Sequence, residues 1–234
     1  MKNPCKPFLD NPDVSECEGG WSVPEGWIPC SNHCSDRCPA VVNGGRLEEC
    51  LHDFLGKAGF GQRYHSPEEG LLFGGNNLSE EIAEGIKEYW LNIGYYMKQG
   101  EGFLLCGPVG TGKTFSLALT ALKTWWPKED VKYIFAPRLF NLLHERSDKV
   151  EDYQECQLLL LDDFGAEYST DWNTGQFASF MEYRHANMLS TCITSNNSVK
   201  DLAGHPLYTR VVDRWRETCK GHIYELSFPS LRGG

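Results

Sequence analysis

The sequence has no long hydrophobic run. None of the apolar stretches in its 234 residues approaches the roughly 18–20 residues that a membrane-spanning helix needs. The start of the chain, residues 1–5, lacks the apolar segment of a signal peptide. We therefore expect a cytoplasmic protein that makes no membrane contact.

Positive charge is also scarce, since 22 Lys and Arg stand against 32 Asp and Glu, a formal net charge of −10. This balance excludes a protein that coats nucleic acid by bulk charge, although it is compatible with a local basic surface. Arg138, Arg146 and Lys149 are candidates for such a surface, which the sequence does not rank. Paired aromatic residues could stack on bases, but their positions in helices favour the core: Tyr89-Trp90, Tyr95-Tyr96 and Trp125-Trp126.

Cysteine, in contrast, is abundant and unevenly placed. Six of the ten cysteines lie in the first fifty residues. Residues 1–45 are rich in Pro, Gly, Asn and Cys without a sustained apolar period, so this segment needs a metal, a partner or disorder. Clustered thiols without a secretion signal favour metal over disulfides. The later cysteines are expected to be small core residues: Cys106, Cys156, Cys192 and Cys219.

The early cysteines can supply four thiolates to one tetrahedral Zn²⁺. The expected ligands are Cys30, Cys34, Cys38 and Cys50. Their spacing departs from the C-x2-C of zinc knuckles, which leaves four alternative ligands: Cys5, Cys17, His33 and His52. Ligand type favours zinc, while an iron–sulfur cluster and free thiols remain alternatives.

The chain divides into a Cys-rich module (1–58), a polar, Gly-rich linker (59–78) and a core (79–234). In the core, short apolar strands alternate with helices, which predicts an α/β fold with a parallel sheet and helices on both faces. The expected strands are 102–106, 131–136, 158–161, 191–195 and 222–226. The expected helices are 79–98, 114–125, 138–145, 172–186 and 207–218.

Residues 107–114 (GPVGTGKT) fit the pattern G-x-x-x-x-G-K-[ST] between a predicted strand and helix. Glycines let successive N–H groups face phosphates, and the helix presents its positive end to the same anion. Lys113 would reach the β- and γ-phosphates of ATP, and Thr114 would contact Mg²⁺. The expected nucleotide contacts here are Gly107, Pro108, Val109, Gly110, Thr111, Gly112, Lys113, Thr114 and Phe115.

Two carboxylates follow the leucine run 158–161. Asp162 is expected at the edge of the sheet beside the glycine-rich loop, where it can hold Mg²⁺ through water. Asp163 is placed to orient or deprotonate the attacking water, with Glu167 as the alternative base. Asn196 follows a third strand, which we expect between the strand before the glycine-rich loop and the strand before Asp162. Its side chain could position the attacking water, or the residue could belong to an ordinary turn at the end of the strand.

These segments, together with STDW…YRHANMLSTCITSN and RVVDRWRE, resemble the AAA+ ATPases of the DnaC/DnaI helicase-loader group and the related IstB transposition helpers. The resemblance covers residues 54–232, and residues 54–64 (FLGKAGFGQRY) resemble the lead-in to the ATPase core. It implies an AAA+ fold without a separate helical lid, since only twenty residues follow Arg214. It also assigns residues 107–114 as Walker A, Asp162 and Asp163 as Walker B, and Asn196 as sensor 1.

The resemblance further implies that Arg214 is the arginine finger supplied to a neighbour's ATP, with Arg210 and Arg216 as alternatives. Arg232 would be the second sensor arginine. Arginine suits both roles because it stays charged beside a transferred phosphoryl group. A site completed by a neighbour implies a homo-oligomer and weak hydrolysis by the monomer.

The implied function is ATP-dependent loading of a replicative ring helicase onto single-stranded DNA, with the Cys-rich module as the helicase-facing adaptor. One alternative is an IstB-like transposition regulator acting on duplex DNA. Another is a non-hydrolysing scaffold in which nucleotide joins the subunits. A small-molecule kinase fits less well, because such an enzyme needs no arginine in trans.

Overall fold

The structure is a computed structural model that describes residues 54–64, 80–124, 130–165, 171–205, 209–219 and 221–227. Its described strands form a parallel sheet. In chain order they are β1 (Leu104–Cys106), β2 (Val131–Phe135), β3 (Leu158–Phe164), β4 (Ser190–Ser195) and β5 (Ile223–Glu225). Their spatial order is β2-β3-β4-β1-β5, and neighbouring strands are parallel. The predicted parallel sheet is confirmed.

Helices cover both faces of this sheet. They are α1 (Glu80–Leu91), α2 (Ile93–Lys98), α3 (Lys113–Thr124), α4 (Ala136–Glu145), α5 (Val150–Glu155), α6 (Asp171–Ala186), α7 (Val199–Gly204) and α8 (Thr209–Cys219). Residues 54–58 are also helical, and a short 3-10 helix spans Gln62–Tyr64. None of the described helices is both long enough and apolar enough to cross a membrane.

The leucines of β3 explain why the sequence reads as a continuous apolar run there. Leu158 and Leu160 join the core cluster formed with α1, α2 and α3. Leu159 and Leu161 point to the other face and join the cluster formed with α4, α6 and α8. Because successive strand residues face opposite sides, a strand covered on both faces needs apolar residues at every position.

The helical elements differ from the sequence-based expectation in two ways. The helix expected over 79–98 is interrupted at Asn92, whose φ of −112° leaves the helical range. Asn92 and nearby Gly94 are poor helix formers. Two short helices, α5 and α7, were not expected, although α7 carries a start signal: the Ser198 hydroxyl accepts a hydrogen bond from the Asp201 N–H at 3.0 Å.

Residues before the sheet also contribute to its core. Leu55, Ala58 and Phe60 are buried in the cluster that contains α1, α2 and α3.

The four later cysteines are also buried, and none is paired with another, which confirms their predicted core role: Cys106, Cys156, Cys192 and Cys219. Burial raises the pKa of the Cys106 and Cys192 thiols to about 12, so these two thiols are inert at neutral pH.

Candidate nucleotide-binding site

The glycine-rich loop joins β1 to the start of α3, as its pattern predicts. Gly110 and Gly112 have φ values of 85° and 86°, a left-handed conformation that residues with a Cβ rarely adopt. The first N–H groups of an α-helix have no partner within the helix and carry partial positive charge. The loop and the start of α3 therefore form a site for an anion such as a phosphate group.

Lys113 adds a full positive charge to this loop. Its side chain is buried, and Nζ donates hydrogen bonds to the carbonyl oxygens of Gly107 and Pro108, both at 2.7 Å. The Thr111 hydroxyl donates to the same Pro108 carbonyl at 2.9 Å. The loop is thus closed on itself by its own side chains, with the ammonium group at its centre.

Asp162 lies directly beside the loop and accepts hydrogen bonds from three hydroxyl groups. Thr114 and Tyr133 each donate to Oδ2 at 2.9 Å, and Thr194 donates to Oδ1 at 2.5 Å. A threonine hydroxyl and a carboxylate are the hard oxygen groups that Mg²⁺ prefers. Thr114 and Asp162 therefore fit Mg²⁺, as expected from the sequence.

Asp163 leaves the regular strand through a β-bulge. The β3–β4 register pairs Leu161 with Ile193 and Phe164 with Ser195, so two acidic residues stand opposite Thr194. The Thr194 hydroxyl accepts a hydrogen bond from the Asp163 N–H at 3.0 Å. Asp163 has a φ of 59°, a left-handed conformation that aspartate tolerates better than most residues. The strand was expected to end before the acids, but it continues to the buried Phe164.

The end of β4 brings Asn196 to Asp163. As predicted, β4 lies between β3 and β1, and the Asn196 side-chain amide donates a hydrogen bond to Asp163 Oδ1. Burial and the neighbouring Asp162 charge raise the pKa of Asp163, while Lys113 and the Asn196 hydrogen bond partly oppose the shift. The arrangement gives a half-buried carboxyl group with elevated basicity beside a cation.

These groups line one cavity of about 670 Å³. Its walls also include residues to which no sequence motif assigns a role: Arg63, Tyr64, Tyr133 and Phe135. The Tyr64 ring packs edge-to-face against Phe115, with centroids 5.2 Å apart. In sequence, residues 54–64 resemble the segment that precedes the ATPase core in helicase loaders. Their spacing gives no indication that they form a wall of the cavity.

The predicted arginine finger lies elsewhere. Arg214 is exposed on α8, and its guanidinium forms ion pairs with Glu182 at 3.1 Å and Glu217 at 2.9 Å. Arg216, also exposed, lies 3.7 Å from Asp213. Neither arginine lines the cavity of its own chain.

Several predicted residues lie outside what the structure describes. They are the side chain of Arg210, and Glu167, Arg232, Cys30, Cys34, Cys38 and Cys50. Within the described ranges, no group of three or more His, Cys, Asp and Glu side chains is placed to hold a metal ion.

A phosphate loop after β1, an acidic pair on β3 and an amide at the end of β4 define the fold of an AAA+ core. The crystal structure of the DnaC helicase loader has this fold, with 27% sequence identity and a TM-score of 0.53 over 65% of this chain and 92% of that one. The predicted fold class is confirmed.

Sequence comparisons also find a helicase loader and an insertion-sequence ATPase. The replicative helicase loader DnaI of Bacillus subtilis is 29% identical over 119 residues, which are 48% of this chain and 38% of that protein. The insertion sequence ATP-binding protein y4pL of Sinorhizobium fredii is 30% identical over 149 residues, 59% of this chain and 60% of that protein. The chain thus spans less than two thirds of either relative. No protein-family model matches the sequence. The resemblance to helicase loaders and insertion-sequence ATPases is confirmed.

Proposed function

We propose that this protein binds and hydrolyses Mg²⁺-ATP and uses the cycle to load a replicative ring helicase onto single-stranded DNA. The observation that carries the proposal is the convergence of Lys113, Thr114, Asp162, Asp163 and Asn196 on one cavity. The similarity to DnaC and DnaI directs this ATPase chemistry toward helicase loading.

Each side chain has a role in the proposed hydrolysis. The loop N–H groups and Lys113 bind the phosphates, and the ammonium exchanges the Gly107 and Pro108 carbonyls for phosphate oxygens. Mg²⁺ held by Thr114 and Asp162 would supply charge neutralisation at the phosphates. Asp163 accepts a proton from the attacking water, while Asn196 orients that water or the carboxylate.

Arg214 completes the site of a neighbouring copy in this proposal. Its side chain is exposed on α8 and lies outside the nucleotide cavity of its own chain, as a residue used in trans requires. A neighbour's γ-phosphate would replace Glu182 or Glu217 as the partner of the guanidinium, an exchange of one anion for another. The protein would therefore act as an ATP-bridged homo-oligomer with weak activity as a monomer.

Mixing two inactive variants tests the role in trans. Lys113→Ala and Arg214→Ala are each expected to lose hydrolysis, because one lacks phosphate binding and the other lacks the finger. In an equal mixture, about one quarter of head-to-tail interfaces combine an intact loop with an intact finger, so about one quarter of the wild-type rate should return. Steady-state ATPase measured over a range of protein concentrations provides the rate.

A mixture as inactive as its components would contradict sharing between subunits, as would a wild-type specific rate that does not depend on protein concentration. If Arg216→Ala is inactive while Arg214→Ala hydrolyses normally, the finger is Arg216.

A loading assay tests the function itself. The full chain is combined with a cognate ring helicase, ATP and single-stranded DNA coated with binding protein. We expect helicase loading above the level seen without the chain, and no stimulation by Lys113→Ala. No stimulation with any cognate helicase would refute the loader function. Selective stimulation of a transposase on duplex DNA would instead favour the IstB-like alternative, which the similarity to y4pL supports.

The Cys-rich segment belongs to the same proposal. We place the helicase-binding adaptor within residues 1–58 and the ATPase in residues 79–234. Residues 54–64, which span the boundary expected at residue 58, pack against the ATPase core, so the adaptor would lie before them. The adaptor would be held together by Zn²⁺ on Cys30, Cys34, Cys38 and Cys50. Metal analysis of the preparation used for the loading assay should find one zinc per chain. About two or four irons per chain, together with inorganic sulfide, would instead make the group an iron–sulfur cluster.

A further inference from the structure

Tyr133 belongs to none of the nucleotide-binding motifs, yet it contacts the carboxylate at their centre. It lies on β2, an edge strand of the described sheet. Its hydroxyl donates to Asp162 Oδ2 at 2.9 Å, the distance at which the Thr114 hydroxyl donates to the same atom. The ordinary pKa of a phenol is about 10, so Tyr133 keeps its proton at neutral pH and remains a donor.

Two residues of the segment that precedes α1, Gly59 and Phe60, pack against Tyr133. Phe60 stacks on it with ring centroids 4.1 Å apart and an interplanar angle of 26°. Gly59 lies against the same residue: a Cβ there would stand 2.8 Å from the Tyr133 carbonyl oxygen, and the Gly59 φ is 108°. The chain therefore passes directly over Tyr133 before it places Arg63 and Tyr64 in the cavity wall.

We propose that Tyr133 is a positioning residue for the magnesium-holding carboxylate of Asp162, and that Phe60 holds Tyr133 in place. Residues 54–64 and the metal site are then linked through one stacked ring and one hydrogen bond. This inference rests on the proposed Mg²⁺-ATP site and adds to it a residue outside the motifs.

The physical reason is that Tyr133 and Thr194 hold Asp162 from outside the glycine-rich loop. Thr114 can still donate to Asp162 when its oxygen binds Mg²⁺, because the hydroxyl keeps its hydrogen. Tyr133 and Thr194 donate to different carboxylate oxygens and together fix the plane of the group. Without the phenol, Oδ2 loses its donor from outside the loop, so the carboxylate gains rotational freedom that metal binding must then remove. A hydrogen bond to a charged group stabilises more than one between neutral groups. Loss of the Tyr133 hydrogen bond should therefore lower the affinity for Mg²⁺ by a measurable amount.

The experiment compares wild type with Tyr133→Phe, which keeps the ring and removes the hydroxyl. Nucleotide affinity is measured by calorimetry without Mg²⁺ and across a Mg²⁺ titration. We expect the Mg²⁺-free affinity to change less than about twofold, while the half-saturating Mg²⁺ concentration rises about fivefold or more. Tyr153→Phe removes a hydroxyl from a half-buried tyrosine outside the cavity lining and should match wild type.

A second variant tests the link to residues 54–64. Phe60→Leu should raise the Mg²⁺ requirement in the same direction, and the double variant with Tyr133→Phe should shift it no further than Tyr133→Phe alone. Additive shifts would overturn the role of Phe60.

The outcomes separate this inference from the function on which it rests. A wild-type affinity that does not depend on Mg²⁺ would refute the magnesium site and the inference together. A Mg²⁺-dependent wild type matched by Tyr133→Phe would overturn the role of Tyr133 only, as would equal losses of affinity with and without Mg²⁺.

Discussion

Asp163→Asn is expected to lower ATP hydrolysis by at least about 100-fold, the usual contribution of a positioned general base, while the protein stays folded and binds nucleotide. The amide cannot accept the proton of the attacking water, but it has nearly the shape of the carboxyl group. Asparagine also tolerates the left-handed backbone at this position, where φ is 59°. Single-turnover hydrolysis and nucleotide affinity, measured on the same sample, separate the chemical step from binding.

The same substitution should not lower stability at neutral pH. Burial and Asp162 raise the folded-state pKa of Asp163 above 3.8, so its contribution to stability is greatest when the group is protonated. That contribution falls as the pH rises from the unfolded-state pKa to the folded-state pKa, and it stays low above the latter. A neutral amide avoids this cost, so the melting temperature of Asp163→Asn at pH 7 should equal or exceed that of wild type.

Asp163→Ala is the matched control for the backbone. Alanine lacks the side chain that makes the left-handed conformation tolerable, so this variant should be less stable than Asp163→Asn by about 1 kcal/mol. Undiminished hydrolysis by Asp163→Asn would contradict the assigned base and favour Glu167. Absence of hydrolysis in the wild-type oligomer would favour a scaffold joined by nucleotide.

Arg184→Leu is expected to lower the free energy of unfolding by at least about 3 kcal/mol, because it leaves several buried carbonyl groups without donors. Arg184 is fully buried on α6. Its guanidinium donates to four carbonyl oxygens and to the Thr191 hydroxyl. Two of these carbonyls, from Tyr153 and Gln154, lie in the last turn of α5, where helix carbonyls have no partner of their own.

Chemical denaturation of the full chain gives the free energy, with two controls. Arg184→Lys keeps the charge but has three donors instead of five in a planar fork, so it should lose an intermediate amount. Arg138→Leu changes an exposed arginine and should stay within about 0.5 kcal/mol of wild type. A loss of less than about 1 kcal/mol in Arg184→Leu would show that water replaces the guanidinium without penalty.

Much of the candidate site could be predicted because its parts are local in sequence. The glycine-rich loop, Lys113 and Thr114 form one continuous segment whose conformation depends on glycine and on a helix start. Asp162 follows the leucine run of β3 and Asn196 follows β4, and parallel strands bring their carboxyl ends to one edge. Arg184 could not be predicted in the same way, because three of its carbonyl partners lie at the end of α5, between 28 and 31 residues away along the chain.

The succession of strands and helices along the chain, the helices on both faces and the identity of the phosphate loop followed from the sequence, since apolar periodicity and glycine placement act over a few residues. The tertiary structure decided which side chains converge on Asp162. Tyr133 and Thr194 reach it from neighbouring strands through a register that contains a bulge. A register is fixed by how whole faces pack, so no short segment of the sequence encodes it, and the placement of the acidic pair depends on the folded sheet.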